Sequence, residues 1–299
     1  MKCLVTGGTG FIGSNLALHL IQAGWEVAIT GHDAEQQLPG FSGKYLQPSL
    51  IGIDWNEIGA LDVLFHQAAI NDTRLMDRKE MLRANLESSE KLFSYAVEKG
   101  CKRIVYASST AIYGRLPAPY KEEGPFDLNT PYAESKKMLD DFAMTFADQH
   151  PGVTIVGLRY CNVYGPRENH KGKRATMIYH LAQQMRNGNP KLFKYGEQKR
   201  DYIYIQDVVR ANMLAAKARE SCVVNCGYGE AVMFNKLIDM LNEILGTNRI
   251  AEYFDNPYKD TYQDYTECDM TLAKEKLSFI PKIDIRSGIK DYFESGFLV

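Results

Sequence analysis

The sequence predicts an α/β fold: a Rossmann-type, doubly wound parallel sheet with a smaller C-terminal substrate-binding lobe. Two observations carry this. Short apolar runs alternate with segments of helical periodicity through the first half of the chain, and strands separated by helices pair in parallel with helices on both faces. The first of these runs also ends in Thr6-Gly7-Gly8-Thr9-Gly10-Phe11-Ile12-Gly13, a glycine-rich turn between a strand and a helix.

Lys2–Thr6 is the first strand. Ile12, Leu16, Leu20 and Ala23 then recur at helical spacing, and Gly24 ends that helix. Glu26–Thr30 reads as the second strand, and the third is open between Lys44–Gln47 and Ile51–Ile53. Asp62–His66, Arg103–Ala107 and Thr154–Arg159 follow as strands, with a helix marked by Leu82, Leu86, Phe93 and Ala96 between the first two. Beyond about residue 165 the alternation fades. A helix near Ala175–Asn187, strand-like Asp201–Ile205 and Val223–Asn225, and helices at Phe234–Leu245 and Ile285–Glu294 remain. We therefore assign 1–165 to a dinucleotide-binding domain whose sheet is completed by parts of 201–227. Residues 166–200 and 228–299 form the second lobe.

Composition narrows the class. At 45% hydrophobic and 24% charged, with a net charge of −2, the chain lacks the basic excess of a nucleic-acid binder, so no nucleic acid partner is expected. The cysteines at 3, 101, 161, 222, 226 and 268 make no C-x-x-C pair and no zinc spacing, so they read as reduced thiols with no metal. No apolar stretch approaches the roughly 20 residues of a membrane span, and no signal peptide precedes the first strand. The expectation is a soluble, cytoplasmic protein without membrane contact.

The glycine turn carries the first piece of chemistry. Gly7 permits a tight turn, Gly10 a close approach of backbone to a pyrophosphate, and Gly13 close packing of helix on strand. The helix N-terminus around Phe11 and Ile12 offers amide donors and a favourable dipole. An acid at the end of the second strand would bind the adenosine ribose, but that strand runs Thr30-Gly31-His32-Asp33. The acid is missing or displaced to Asp33, and no arginine stands nearby, so the cofactor is NAD or NADP.

The second piece is Tyr132-Ala133-Glu134-Ser135-Lys136, whose four-residue spacing puts tyrosine and lysine on one helical face. A phenol is a poor base near neutral pH, and a neighbouring ammonium together with a nicotinamide cation favours the phenolate. Lys136 is also placed to bind the nicotinamide ribose. Upstream, the strand Arg103–Ala107 runs into Ser108-Ser109, which sets the Ser109 hydroxyl at the carboxyl end of a sheet strand, where open α/β sheets bind ligands. The alternatives are a strand-end cap for Ser109 and a packed helix residue for Tyr132.

With TGGTGFIG, VLFHQAA (63–69), YASSTAIYG (106–114), PYAESK (131–136), LRYCNVYGPR (158–167) and RDYIYIQDVV (200–209), the chain resembles the extended short-chain dehydrogenase/reductases, in the branch of the nucleotide-sugar epimerases. The resemblance implies that Ser109 and Tyr132 touch the reacting hydroxyl. It also implies that Ala68 and Asn85 lie near the cofactor, and Tyr160 and Asn162 near nicotinamide or substrate. The partner implied is a nucleotide sugar, and a homo-oligomer is expected by the same likeness. Within the branch, Arg167-Glu168-Asn169-His170-Lys171-Gly172 and the later His180, Lys199-Arg200-Asp201 and Tyr262-Gln263 are most similar to the ADP-heptose 6-epimerase group. That likeness makes Lys171 a second acid/base and sends His180, Arg200 and Tyr262 to the substrate. The Arg200 guanidinium suits a diphosphate, against a surface ion pair with Asp201, and Lys171 has the alternatives of a solvated lysine or a phosphate contact.

Three features depart from that group: Lys173-Arg174 where small or apolar residues are usual, the altered end of strand two, and a short 38–60 region. The competing activities are a UDP-hexose 4-epimerase and a keto-sugar reductase or dehydratase. The dehydratase is weakened by Thr110-Ala111, where an acid is needed beside the serine. A non-catalytic NAD(P)-sensing protein would need none of Ser109, Tyr132 and Lys136.

Overall fold

The computed structural model describes residues 1–31, 38–46, 58–72, 74–257 and 262–299. The chain opens with β1 (Lys2–Thr6), α1 (Phe11–Gln22), β2 (Glu26–Ile29) and β3 (Lys44–Tyr45). β4 (Val63–His66) leads to α2 (Arg78–Leu82) and α3 (Ser88–Glu98), joined by a π-helical turn at Arg83–Glu87. Then come β5 (Arg103–Ser109), α4 (Pro131–Gln149) and β6 (Thr154–Tyr160). The remainder carries β7 (Asn162–Tyr164), α5 (Met177–Asn187), β8 (Lys191–Phe193), β9 (Lys199–Tyr204), α6 (Ile205–Ala215), β10 (Cys222–Cys226), β11 (Ala231–Met233) and α7 (Phe234–Leu245). It closes with β12 (Glu252–Phe254), β13 (Tyr265–Thr266), α8 (Thr271–Leu277) and α9 (Ile285–Glu294).

Seven strands form the central sheet in the order β10-β6-β5-β4-β1-β2-β3, and every neighbouring pair is parallel. The chain winds one way from β1 through β3 and the other way from β4 onward, so the direction reverses between β1 and β4. A crevice opens at such a reversal.

Strand periodicity explains the three layers. Successive side chains point to opposite faces. Cys3 and Val5 therefore pack with Leu16 and Leu20 of α1 and Val208 and Ala211 of α6. Leu4, Leu64 and Ile104 pack on the other face with Leu92 and Phe93 of α3 and Leu139 and Ala143 of α4. No helix of the described residues is long and apolar enough to cross a membrane.

The structure sharpens several expectations. The third strand is Lys44–Tyr45, an edge strand paired with β2, and Ile51–Ile53 lies outside the described residues. The helix expected around Leu82–Ala96 is interrupted by the π turn. The strand at Asp201–Ile205 is β9, and it belongs to a second, smaller sheet with β7, β11 and β13. Its Tyr202–Tyr204 pair with Asn162–Tyr164, which follow directly on β6, so β10 is the strand of 201–227 that extends the central sheet.

Candidate active site

The carboxyl ends of β1, β4, β5 and β6 open onto a cavity of about 990 Å³. Gly7, Gly10, Phe11, Ile12 and Gly13 line one end of it. Gly7 has a left-handed backbone (φ +64°), and a Cβ there would meet the Ala68 backbone at 2.9 Å. A Cβ on Gly13 would stand 2.1 Å from the Gly7 carbonyl oxygen. Strand, turn and helix thus touch backbone to backbone. Gly10 is the N-cap of α1 and gives it no side-chain cap, which leaves the helix N-terminus to bind an anion. These residues fit the pyrophosphate of a dinucleotide.

Ala68 lines the same cavity, and its N–H donates to Thr6 Oγ1 at 3.1 Å. Thr6 Oγ1 in turn lies 2.7 Å from His66 Nδ1, and His66 Nε2 lies 2.8 Å from Ser89 Oγ. Burial pulls the His66 imidazole down to about 3, so it is neutral and serves as a strut between strand and helix. Asn85 acts one step back from the cavity wall: its amide accepts from Ile70 N–H at 2.8 Å and donates to the Ile70 carbonyl at 2.9 Å. Asp33 lies outside the described residues.

The candidate acid/base residues meet where β5 ends against α4. Thr130 caps α4 by accepting from the Ala133 N–H at 3.1 Å, and Pro131 occupies the first turn. This starts the helix so that Tyr132 and Lys136 share one face. The Lys136 ammonium donates to the Ala107 carbonyl at 2.8 Å and lies 5.8 Å from the centre of the Tyr132 ring. Burial lowers Lys136 to about 8, opposed by the charge of Asp140. Burial raises the Tyr132 phenol, and a hydrogen bond from Ser109 opposes that rise. Ser109 also accepts from the Ala111 N–H at 3.1 Å. It is therefore both a strand-end cap and a partner of Tyr132, and the two readings coexist. Tyr160 contributes its ring, with its hydroxyl held by Gln67 at 3.0 Å and Asn212 at 2.8 Å.

The second lobe closes the far side. Half-buried Lys171 lines the cavity, its Nζ 5.3 Å from the Phe11 ring centre. Burial lowers its ammonium and the charge of Glu168 opposes this. Asn162, Arg200 and Tyr262 line the cavity too. Asn162 donates to the Asp201 carbonyl at 2.8 Å. Arg200 stacks on Tyr262 at 5.2 Å and Phe234 at 5.6 Å, and donates to the carbonyls of Lys199 and Gln263.

An ion pair between Arg200 and Asp201 does not form, because the Asp201 carboxylate is taken by the N–H groups of Tyr228, Gly229 and Cys268 at 2.7 to 3.1 Å. Cys161, Asp201 and Cys268 bring their ligand atoms within 4.8 Å of one another, and those three amides make the carboxylate an anchor for the loops around it. His180 stands apart: it lies on α5 against Tyr179 and does not line the cavity.

Sequence reasoning missed three contributors. Gln67 lies inside a quoted motif and fixes Tyr160. Arg174, noted above only as a departure, donates to Asn71 Oδ1 at 2.6 Å across the cavity mouth. Glu168 is fully buried, although it sits in a basic run that reads as a solvated loop. The described cavity lining carries Arg83, Lys136, Lys171, Arg174 and Arg200 against a single carboxylate, Glu80. Such a wall suits ligands that carry several negative charges.

The sequence matches the NAD dependent epimerase/dehydratase family over residues 3–227. It is 32% identical over 315 residues to an ADP-L-glycero-D-manno-heptose-6-epimerase of Alkalilimnicola ehrlichii, covering 98% of this chain and 96% of that protein. Among solved structures, the Helicobacter pylori ADP-L-glycero-D-manno-heptose-6-epimerase superposes with a TM-score of 0.90 at 33% identity, covering 98% of this chain and 95% of that one. The UDP-glucose 4-epimerase of Thermotoga maritima, solved with UDP-glucose, gives 0.88 at 30% identity and 98% of both chains.

Proposed function

This chain belongs to the NAD dependent epimerase/dehydratase family, and from that premise we propose that it inverts one carbon of a nucleotide-linked sugar, with an ADP-linked heptose as the preferred substrate. The observation that carries the proposal is the shared cavity. Tyr132 with Ser109 and Lys136 stands on one wall, Lys171 on the second lobe, and the glycine turn at one end.

Inverting a carbinol carbon without an acidic proton requires its oxidation to a carbonyl and its reduction from the other face. The turn of Gly7, Gly10 and Gly13 would hold a nicotinamide dinucleotide, which when bound would supply the hydride acceptor and donor. The chain's own residues handle the proton. Tyr132 takes it from the substrate hydroxyl as the carbonyl forms, Ser109 hydrogen-bonds the phenolate, and Lys136 keeps positive charge beside the ring. On return the new hydroxyl lies on the opposite side and takes its proton from the Lys171 ammonium, and the proton left on Tyr132 passes through solvent to the Lys171 amine before the next turnover. The Arg200 fork and the Tyr262 ring provide a seat for diphosphate and sugar between the glycine-turn domain and the lobe of 166–200 and 228–299.

The heptose reading rests on two relatives at 32% and 33% identity that carry that name and on Lys171. The alternative, a UDP-hexose 4-epimerase, is favoured by the 30% identity to the Thermotoga enzyme. A purified sample incubated with ADP-, UDP-, GDP- and dTDP-sugars, with product stereochemistry read by NMR, decides between them. Inversion of the ADP-heptose side-chain carbon without net dinucleotide consumption is the expected result. Inversion of a UDP-hexose alone sinks the heptose reading, and net dinucleotide consumption replaces the epimerase with a reductase. The homo-oligomer is part of the same proposal and is tested by sedimentation.

A further inference from the structure

We infer that Glu168 is the positioning residue for Lys171: its carboxylate clamps the turn from which Lys171 reaches the cavity and, when ionised, sets a negative charge near the lysine.

The clamp is built from three hydrogen bonds. The Glu168 carbonyl accepts from the Lys171 N–H at 2.9 Å. One carboxylate oxygen accepts from the Thr176 hydroxyl at 2.8 Å and the other from the Thr176 N–H at 3.3 Å. Glu168 therefore holds Lys171 through its own carbonyl and Thr176 through its carboxylate, on either side of Gly172. Gly172, in a left-handed backbone (φ +53°), reverses the chain directly after Lys171. Thr176 is also the N-cap of α5, so the carboxylate sits at the positive end of an eleven-residue helix.

Burial makes this more than a cap. A capping acid normally stays in water, whereas Glu168 is 0% exposed, and a buried carboxylate is costly unless it is compensated. The groups facing it are Lys171 and Thr176 on its own loop, Tyr292 of α9 and Tyr202 of β9. Lys171 is the cation among these groups. Burial raises Glu168 to about 7 and Lys171 opposes the rise. Burial lowers Lys171, Glu168 opposes the fall, and Arg174 at the cavity mouth adds to it. The two side chains make no close ion pair, yet each favours the charged form of the other.

This bears on catalysis through the acid/base role proposed for Lys171, so the test reads Lys171 itself. The pH midpoint of its acylation by acetic anhydride is measured by mass spectrometry in the parent, Glu168→Gln and Glu168→Asp. In Glu168→Gln the midpoint is expected to fall by about one pH unit, a tenfold change in ionisation constant, and Glu168→Asp is expected to restore most of it. An unchanged midpoint in folded Glu168→Gln overturns the inference. Should that variant fail to fold, Thr176→Ala keeps the charge and removes one clamping bond. It is expected to speed Lys171 labelling several-fold at high pH, and an unchanged rate overturns the inference equally. A shifted midpoint with undiminished sugar inversion leaves Glu168 as the positioning residue and removes Lys171 from the proposed mechanism.

Discussion

The ammonium of Lys136 donates to the carbonyl oxygen of Ala107 at 2.8 Å, which ties the helix bearing Tyr132 to the strand that ends at Ser109. The fold thus registers the two halves of the proposed acid/base pair through one buried charge. Lys136 is 2% exposed, and a buried cation is expensive to hold.

That expense gives the first prediction. Lys136 sits at about 8 against an ordinary 10.5 because burial disfavours its charge. Between those values the unfolded chain binds more protons than the folded one, so the group's contribution to stability rises with pH through that window. The stability of the parent relative to Lys136→Met is therefore expected to increase by about 3 kcal/mol between pH 7 and pH 10.5. Denaturant midpoints across that range check it, and a constant difference between the two proteins would contradict the buried charge. Turnover in Lys136→Met is expected to fall by roughly a hundredfold or more.

A second prediction concerns Tyr132. Tyr132→Phe is expected to keep dinucleotide affinity and to lose turnover by about two to four orders of magnitude. The Ser109 hydrogen bond lowers the phenol, so in Ser109→Ala the phenol rises. A base works only once deprotonated, so the acidic limb of the kcat profile should then move to higher pH. A profile that stays in place separates Ser109 from Tyr132.

Much of this arrangement was legible in the sequence, for a physical reason. The glycine turn, Ser109 and the Tyr132–Lys136 spacing are local patterns: a strand end, a helix start and one helical face fix them within a few residues. Asp201–Ile205 reads as a strand from its sequence, but the partners of β9 lie in Asn162–Tyr164, Ala231–Met233 and Tyr265–Thr266, far away along the chain, so nothing local says which sheet it joins. Glu168 was invisible for the same reason. Two of the groups that face it, Tyr292 and Tyr202, lie far along the chain, and its immediate neighbours Arg167 and Asn169 are polar. His180 carries the right helical context, yet its placement depends on how α5 packs, and it is not among the residues that line the cavity.

Gly13 offers a third test, because its contact is backbone against backbone. A methyl at Gly13 would stand 2.1 Å from the Gly7 oxygen and 2.9 Å from Gly8 Cα, and no flexible side chain is available to yield. Gly13→Ala is expected to destabilise the protein by about 1–3 kcal/mol and to abolish dinucleotide binding measured by calorimetry. Gly152→Ala has open space around the added carbon and serves as the neutral control. Retained dinucleotide affinity in Gly13→Ala would mean that the turn can open without loss of its grip.

The last prediction joins stability to the site through Asp140, one helical turn beyond Lys136. Its carboxylate accepts from Arg159 Nε at 2.9 Å and from the Tyr106 hydroxyl at 2.9 Å, and both members of the ion pair are buried. Arg159 reaches on to the Tyr113 hydroxyl at 2.9 Å and the Glu122 carbonyl at 2.8 Å. Removing one partner of such a pair strands the other, so Asp140→Ala is expected to cost about 3–5 kcal/mol, whereas Asp140→Leu with Arg159→Met removes both charges and should recover much of that loss. The double variant carries a second signature. Asp140 also raises Lys136, so without it the ammonium loses its proton at a lower pH. Even where the double variant melts like the parent, its turnover should therefore decline at a lower pH on the alkaline side. Recovered stability with an unshifted alkaline limb would show that Asp140 serves the core alone.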